Sequence, residues 1–468
     1  MYFMEVQIKP TATNNPATTD NYRIAIAQKL VDSIAAPVPS LTPRDTWLPV
    51  IHPHISNKAI AVIGMRRAGK TSLLWQIIRE QLAQGAPRES LVYFSFEDER
   101  LVGLEASDLG LLIEEYFKLY PQRREGQTTT FFLDEIQLVK GWEVFARRIL
   151  DSENIQLYLS GSSAKLLSRE IATSMRGRAL EAIVTPFSFS ETLRHHGALP
   201  NKKPAHFTKT DRSKLHQQLM SYLAHGGFPE AQAYLAPKDA RQRMDLLKTY
   251  VDVVLLRDVI ERHNITQPQV LRWMVQQLLG NSAGSFSLNK FFNDLKSRGV
   301  SVGRERLYEY LDHLEDTFLL HSVTIATDSE RRRQVNPRKI YPVDTGLMAL
   351  FDPSGKPNTG HALEVVVLHE CLRRGDQIAY VRTASGYEVD FLAGHFDRST
   401  TLIQVCQDIT DPKTCERELR ALQEAKLEFP SAKCLLITLE QPIGVAAPEG
   451  IEIVQAVDWL LGATGEGQ

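Results

Sequence analysis

Short apolar runs separated by stretches with helical spacing dominate the first two hundred residues. Residues 59–63 read Ala-Ile-Ala-Val-Ile, residues 91–96 Leu-Val-Tyr-Phe-Ser-Phe, residues 128–133 Thr-Thr-Thr-Phe-Phe-Leu and residues 155–159 Ile-Gln-Leu-Tyr-Leu. Runs of this kind predict strands, and an unbroken apolar run such as 59–63 predicts a strand buried in a parallel sheet. Residues 72–78 place apolar side chains at helical spacing, and helix-patterned sequence leads up to Tyr120. Strands alternating with helices predict an α/β core. Beyond it, residues 207–264 are dense in helix signals, strongest at 215–223 and 239–262. Residues 265–318 read as three helices (269–279, 287–298 with Ser287 as N-cap, and 304–318), and 319–325 as a β-like run. After residue 336, helices at 363–373 and 411–427 flank strand-like runs at 379–382, 388–392 and 401–406. At the other end, residues 8–20 are polar and Pro/Thr-rich and read as a mobile leader. A helix is expected over 22–34, then a linker punctuated by Pro37, Pro39 and Pro43.

The first strand and helix enclose Gly64-Met65-Arg66-Arg67-Ala68-Gly69-Lys70-Thr71, followed by Ser72. This is the G-x-x-x-x-G-K-T phosphate loop, in the strand-to-helix context its mechanism needs. The glycines let the backbone curl so that its N–H groups meet phosphate oxygens, and the following helix points its positive end at the same anion. Lys70 is expected to reach the β- and γ-phosphates of ATP and Thr71 to ligate Mg²⁺. Residues 128–133 lead into Asp134 and Glu135, acids at a strand end. Asp134 is expected to hold Mg²⁺ and Glu135 to orient or deprotonate the attacking water. The strand at 155–159 ends in Ser160-Gly161-Ser162-Ser163 and is expected between the other two, with Ser160 or Ser162 as a γ-phosphate sensor and Ser163 as a helix cap. Arg176 and Arg178 flank Gly177, and either suits an arginine finger acting in cis or on a neighbouring subunit.

Composition narrows the field. Length suggests about three domains. At 43% hydrophobic and 24% charged residues with a net charge of −2, the chain reads as an ordinary globular protein without a global nucleic-acid signature. Its four cysteines, Cys371, Cys406, Cys415 and Cys434, form no C-x-x-C pair, so no zinc site or disulfide framework is expected. Reduced thiols in a cytoplasmic protein are expected instead. No apolar run is long enough for a membrane span, and the N-terminus lacks the pattern of a signal peptide. The three helices and strands of 265–325 form a winged-helix pattern. Its third helix carries Glu305, Glu309, Asp312, Glu315 and Asp316 against Arg304 and Arg306, a balance that disfavours a phosphate-facing surface. Arg331, Arg332 and Arg333 fall near the expected wing, where they could contact a nucleic-acid backbone, but a packing role between domains is the expectation for this module.

The phosphate loop, Y-F-S-F-E-D-E-R-L, F-F-L-D-E-I-Q, L-S-G-S-S-A-K-L-L-S and G-R-A-L-E-A-I-V-T-P-F-S-F-S-E occur in that order. Together they resemble prokaryotic AAA+ ATPases whose C-terminal part is a restriction-endonuclease-like domain of unknown function. The resemblance continues through His225-Gly226-Gly227-Phe228-Pro229-Glu230, Asp252 to Asp258 and Lys339 to Leu347. The family often has G-P-R-Q-x-G-K-T, and here Met65 and Arg67 stand at variable positions of the loop. The resemblance implies an ASCE-type parallel-sheet ATPase core over 45–200 after a leader and linker over 1–44. It further implies a helical lid over 201–264, a winged-helix-like module over 265–335 and a PD-(D/E)XK nuclease-like domain over 336–468. It also implies a homo-oligomer, Arg178 as the better finger, ATP hydrolysis driving a switch or motor, and a possible DNA or protein partner. Nuclease chemistry needs clustered acids for Mg²⁺ and a lysine. Asp390 and Glu364 suit the acids, but Gln404-Val405-Cys406 stands where E-x-K belongs, so the fold is expected without cleavage. Glu388 or Asp408 would be the only rescue. The alternatives are an ATP-regulated DNA nuclease and a non-hydrolysing, nucleotide-gated scaffold.

Overall fold

A computed structural model describes residues 16–51, 57–124, 126, 128–161, 175, 177–352, 358–440 and 447–462. The chain divides into two compact units. One comprises residues 1–41, 48–63 and 70–182, the other residues 42–47, 64–69 and 183–468.

The first unit contains α1 (Pro16–Ala35), β1 (Ala59–Ile63), α2 (Lys70–Ala83), β2 (Leu91–Ser95), α3 (Gly110–Leu119), β3 (Thr129–Asp134), α4 (Trp142–Ser152), β4 (Ile155–Gly161) and β5 (Ala179–Ile183). The strands form one sheet in the order β2-β3-β4-β1-β5. Strands β1 to β4 pair in parallel, so the strand ending in Ser160 lies between the phosphate-loop strand and the acid-tipped strand, as expected. A parallel sheet is covered on both faces, which is why every residue of β1 and β3 is buried. Helix α4 buries Trp142, Phe145, Ala146, Ile149 and Leu150, one stripe at helical spacing. Helix α1 begins at Pro16, so residues 16–20 are helical and not part of a mobile leader. It packs on edge strand β2 and on α3, held by ion pairs Lys29–Asp98 (2.7 Å) and Arg23–Glu115 (2.8 Å). Covering an edge strand in this way removes a template for unwanted pairing.

The second unit continues with α5 (Phe189–His195), α6 (Lys209–His225), α7 (Ala240–Val253), α8 (Pro268–Gly280), β6 (Ser285–Phe286), α9 (Leu288–Ser297), α10 (Arg304–Asp316), β7 (Leu320–Val323), α11 (Glu330–Val335) and β8 (Arg338–Pro342). The single helix expected over 239–262 is divided: α7 passes directly into a π-helical segment, Val254–Glu261. Ser287 caps α9 by accepting the Lys290 N–H, as its position in the sequence predicts. β6, β8 and β7 form an antiparallel sheet beside α8, α9 and α10. One core gathers Phe228, Tyr250, Val254, Leu271, Met274, Leu311 and Met65.

The chain then runs through α12 (Thr359–Arg373), β9 (Gln377–Arg382), β10 (Glu388–Gly394), β11 (Thr400–Cys406), α13 (Pro412–Glu428), β12 (Lys433–Thr438), β13 (Ile451–Gln455) and α14 (Ala456–Gly462). These strands form a mixed sheet, β13-β12-β11-β10-β9. β9, β10 and β11 are antiparallel, and β11, β12 and β13 parallel.

Two glycine-rich segments lock together in this unit. Helix α6 ends at His225, and Gly226 follows with φ 75°. Buried Asp344 accepts the Gly227 N–H (2.6 Å) and the Gly346 N–H (2.9 Å). Burial raises its carboxyl to about 6 against the pull of those two donors. A Cβ on Gly226 would lie 1.7 Å from an Asp344 oxygen. Gly226→Ala should therefore destabilise the protein by about 1–3 kcal/mol, the usual range for overpacking. An unchanged urea midpoint in that variant would contradict the close approach.

Candidate functional site

The chain leaves β1 at Ile63 and enters α2 at Lys70, so Lys70 and Thr71 form the first turn of a 14-residue helix. Lys70 is buried, at 5% exposure. The Thr71 hydroxyl donates to Asp134 Oδ2 at 2.8 Å, and the Tyr93 hydroxyl donates to the same oxygen at 2.7 Å. Burial first, then the Asp134 charge, pushes the Tyr93 hydroxyl far up, so it stays a donor. The Ser160 hydroxyl donates to Asp134 Oδ1 and accepts the Glu135 N–H at 3.1 Å. Three hydroxyls thus converge on one carboxylate. A hydroxyl beside a carboxylate is a set of hard oxygen donors, and it suits Mg²⁺.

Glu135 breaks the strand. It has φ 56° and ψ 39°, a left-handed conformation rare for a side chain of this size. A regular strand would send Asp134 and Glu135 to opposite faces, and the kink abolishes that alternation. The Glu135 carboxylate accepts a hydrogen bond from the Gln137 amide. Tyr93 and Gln137 join the site only through these contacts, although both lie within motifs visible in the sequence. Ser160 thus bridges the Asp134 side chain and the Glu135 backbone. The Arg178 guanidinium rests on Asp151 at 2.6 Å. Ser162, Ser163 and Arg176 lie outside the described residues.

The second unit shapes the phosphate loop itself. Gly64 (φ 149°) packs so closely that a Cβ would lie 2.0 Å from the Val184 carbonyl oxygen. Arg67 is left-handed at φ 65°, and Gly69 has φ 103°. The Met65 and Ala68 side chains are fully buried, so those positions offer only backbone to a ligand. Arg44, at the end of the expected linker, is the strut that sequence reading missed. Its guanidinium donates to Ala68 O (2.7 Å), Thr185 O (2.5 Å) and Glu191 (2.9 Å) and lies over the Phe187 ring. Arg66 grips Asp258 with two hydrogen bonds of 2.8 and 3.0 Å, and Arg67 lies 3.7 Å from Glu230. Ser72, next to Thr71, is half-buried.

A second carboxylate cluster lies in the mixed-sheet region. Lys339 of β8 places its ammonium 3.0 Å from Glu364, 2.9 Å from Glu388 and 3.0 Å from Asp390. The Tyr341 hydroxyl also donates to Glu364 at 2.6 Å. Gln404 is occupied within the fold: its oxygen accepts the Asp390 N–H and its amide donates to Glu418. Asp408 is exposed and bonds Thr410, whereas Glu388 does join the cluster. Burial lowers the lysine's affinity for its proton, and the three carboxylates more than reverse that. Burial first, then the Asp390 charge, raises the Glu364 carboxyl to about 7.

A family model described as an AAA domain matches residues 56–193, and one described as a domain of unknown function (DUF8612) matches residues 216–355. An uncharacterized protein of Methanocaldococcus jannaschii is 33% identical over 375 residues, 79% of each chain. An uncharacterized protein of Haemophilus influenzae is 30% identical over 406 residues, 86% of this chain and 93% of that one. The chain belongs to the family of AAA-domain proteins that these two relatives represent. Among solved structures, the Walker-type ATPase of Pyrococcus abyssi covers 70% of this chain and 95% of its own at 15% identity and a TM-score of 0.39. The Aeropyrum pernix ORC1 protein in complex with DNA covers 72% and 93% at 14% identity and a TM-score of 0.30. Likeness that low says nothing of this chain's chemistry. Among the described residues no helix is long and apolar enough to cross a membrane.

The buried Glu364 carboxyl takes up a proton more readily in the folded chain than its usual value of 4.5 would allow. Its contribution to stability is therefore present below pH 4.5 and lost as pH rises through about 7. Glu364→Gln should flatten that part of the melting-temperature profile, and a profile parallel to wild type would refute the assignment.

Proposed function

We propose that the protein binds ATP with Mg²⁺ at residues 64–72 and hydrolyses it to drive a conformational switch or motor. The observation that carries this reading is the buried Lys70 opening α2 behind a glycine-bent loop, with the adjacent Thr71 hydroxyl on Asp134. Backbone amides from Gly64 to Ser72 receive the phosphates, with Met65, Arg66, Arg67, Ala68 and Gly69 between, and Lys70 bridges the β- and γ-phosphates. Thr71 and Asp134 hold the magnesium ion, which when bound neutralises charge on the phosphates.

Glu135 takes the proton of a water whose oxygen bonds to the γ-phosphorus as the bond to the β–γ bridging oxygen breaks. Ser160 fixes Asp134 and the Glu135 backbone together, and Gln137 orients the Glu135 carboxylate. Arg178 acts from a neighbouring subunit of a homo-oligomer. In this reading 45–200 is the ATPase core, 201–264 a lid and 265–335 a winged-helix module with a packing role between domains. Residues 336–468 form a nuclease-like domain that no longer cleaves. Three helices beside an antiparallel sheet support the third assignment. Gln404 held by Glu418, and an ammonium already among the acids, support the fourth. Free cysteines among the described residues suit a cytoplasmic setting.

Lys70→Ala removes a charge-assisted contact and should weaken ATP binding about ten- to a hundredfold in a titration. Unchanged affinity would end the phosphate-cradle role. Glu135→Gln should keep ATP affinity but lower phosphate release at least about a hundredfold. Turnover at the wild-type rate would remove Glu135 as the base. A wild-type protein that binds ATP yet releases no phosphate above background would favour the gated scaffold.

A further inference from the structure

Three anchors hold the phosphate loop within the second unit. The Met65 side chain sits in the core with Phe228, Tyr250 and Val254. The Ala68 carbonyl accepts from Arg44. The third anchor is of another kind, because it pairs a carboxylate with a guanidinium that an anion in the loop can compete for. Arg66 is 31% exposed on its side chain and Asp258 only 6%. Among the described residues, both hydrogen bonds to the Asp258 carboxylate come from Arg66. If Arg66 leaves, a buried carboxylate is stranded, a state that folded chains avoid by moving.

Asp258 also lies in an unusual place. It belongs to the π-helical segment Val254–Glu261, where Val254, Leu255 and Val259 share the core that holds Met65. π-Helical turns are rare, short and concentrated at functional positions. Here eight consecutive residues take this form.

We propose that the Arg66–Asp258 pair is a latch that distinguishes a nucleoside triphosphate from a diphosphate. The terminal phosphate draws the Arg66 guanidinium off Asp258, and the stranded carboxylate releases the 254–261 segment. The inference rests on the ATP-binding reading above and adds to it how the bound phosphate is reported to the helical region. Asp258 is thus a positioning residue that acts through Arg66, without touching nucleotide.

The test combines binding with hydrogen exchange on the full-length chain. Mg²⁺ with ATPγS should speed exchange across 254–261 in the wild type, and Mg²⁺ with ADP should not. In Asp258→Asn the segment should exchange fast before nucleotide is added and respond to neither. ATPγS affinity should rise about fivefold with ADP affinity little changed, a coupling at the lower end of the usual range. Arg66→Lys keeps the loop's charge but loses the two-point grip, and it should also speed exchange without nucleotide. This variant carries the test if Asp258→Asn does not fold. The double variant Arg66→Gln/Asp258→Asn should bind ATPγS no more tightly than Arg66→Gln alone. Additive effects of the two substitutions, or a wild type that binds ATPγS with no change over 254–261, overturn the latch alone. A wild type that binds no ATPγS overturns the nucleotide reading beneath it.

Discussion

A backbone that bends tightly enough to turn its amides toward an anion has to be held from behind, and here the buried Arg44 guanidinium holds it at the Ala68 carbonyl. It spends its donors on the Ala68 and Thr185 carbonyls and on Glu191, whose side chain also closes the cap of α5 through the Ser188 N–H. A buried guanidinium is tolerated because its partners leave little of its hydrogen-bonding capacity unmet. Desolvation pushes the Glu191 carboxyl up, but Arg44 and Arg373 pull harder, so the carboxylate stays charged to receive it. Gly64 completes the arrangement, since any side chain there would meet the Val184 carbonyl.

Two carboxylate groups in this chain show opposite electrostatic solutions. Asp134 is surrounded by hydroxyls from Thr71, Tyr93 and Ser160, which satisfy its lone pairs without neutralising its charge. Such a site keeps its appetite for a cation. Glu364, Glu388 and Asp390 instead enclose the Lys339 ammonium. Their counter-charge is covalently supplied, and the aromatic hydroxyl of Tyr341 adds a neutral donor. The first arrangement leaves a carboxylate among neutral donors, and the second closes three carboxylates around a cation of the chain itself.

The elements that repeat in sequence were legible from it. Apolar runs gave away β1 to β4, and glycines with Lys70 and Thr71 marked the phosphate loop between strand and helix, because backbone curvature and charge there are local properties. Asp134 and Glu135, two acids at the end of an apolar run, were legible for the same reason. The start of helix α1 is not legible, since proline is tolerated in a first helical turn and the polar run around it resembles a leader. The π-helical segment is not visible in the sequence, because its backbone bonds span only one residue more than those of an α-helix.

What the sequence by itself determined is the chemistry available: which residues could cradle phosphate, hold a cation or accept a proton. Only the tertiary structure decided who holds whom. Arg44 lies 24 positions from the carbonyl it supports, Arg66 lies 192 from Asp258, and Lys339 lies 51 from Asp390. Such pairings depend on where buried charges can find partners once the apolar faces have closed, and no local pattern of polarity encodes that.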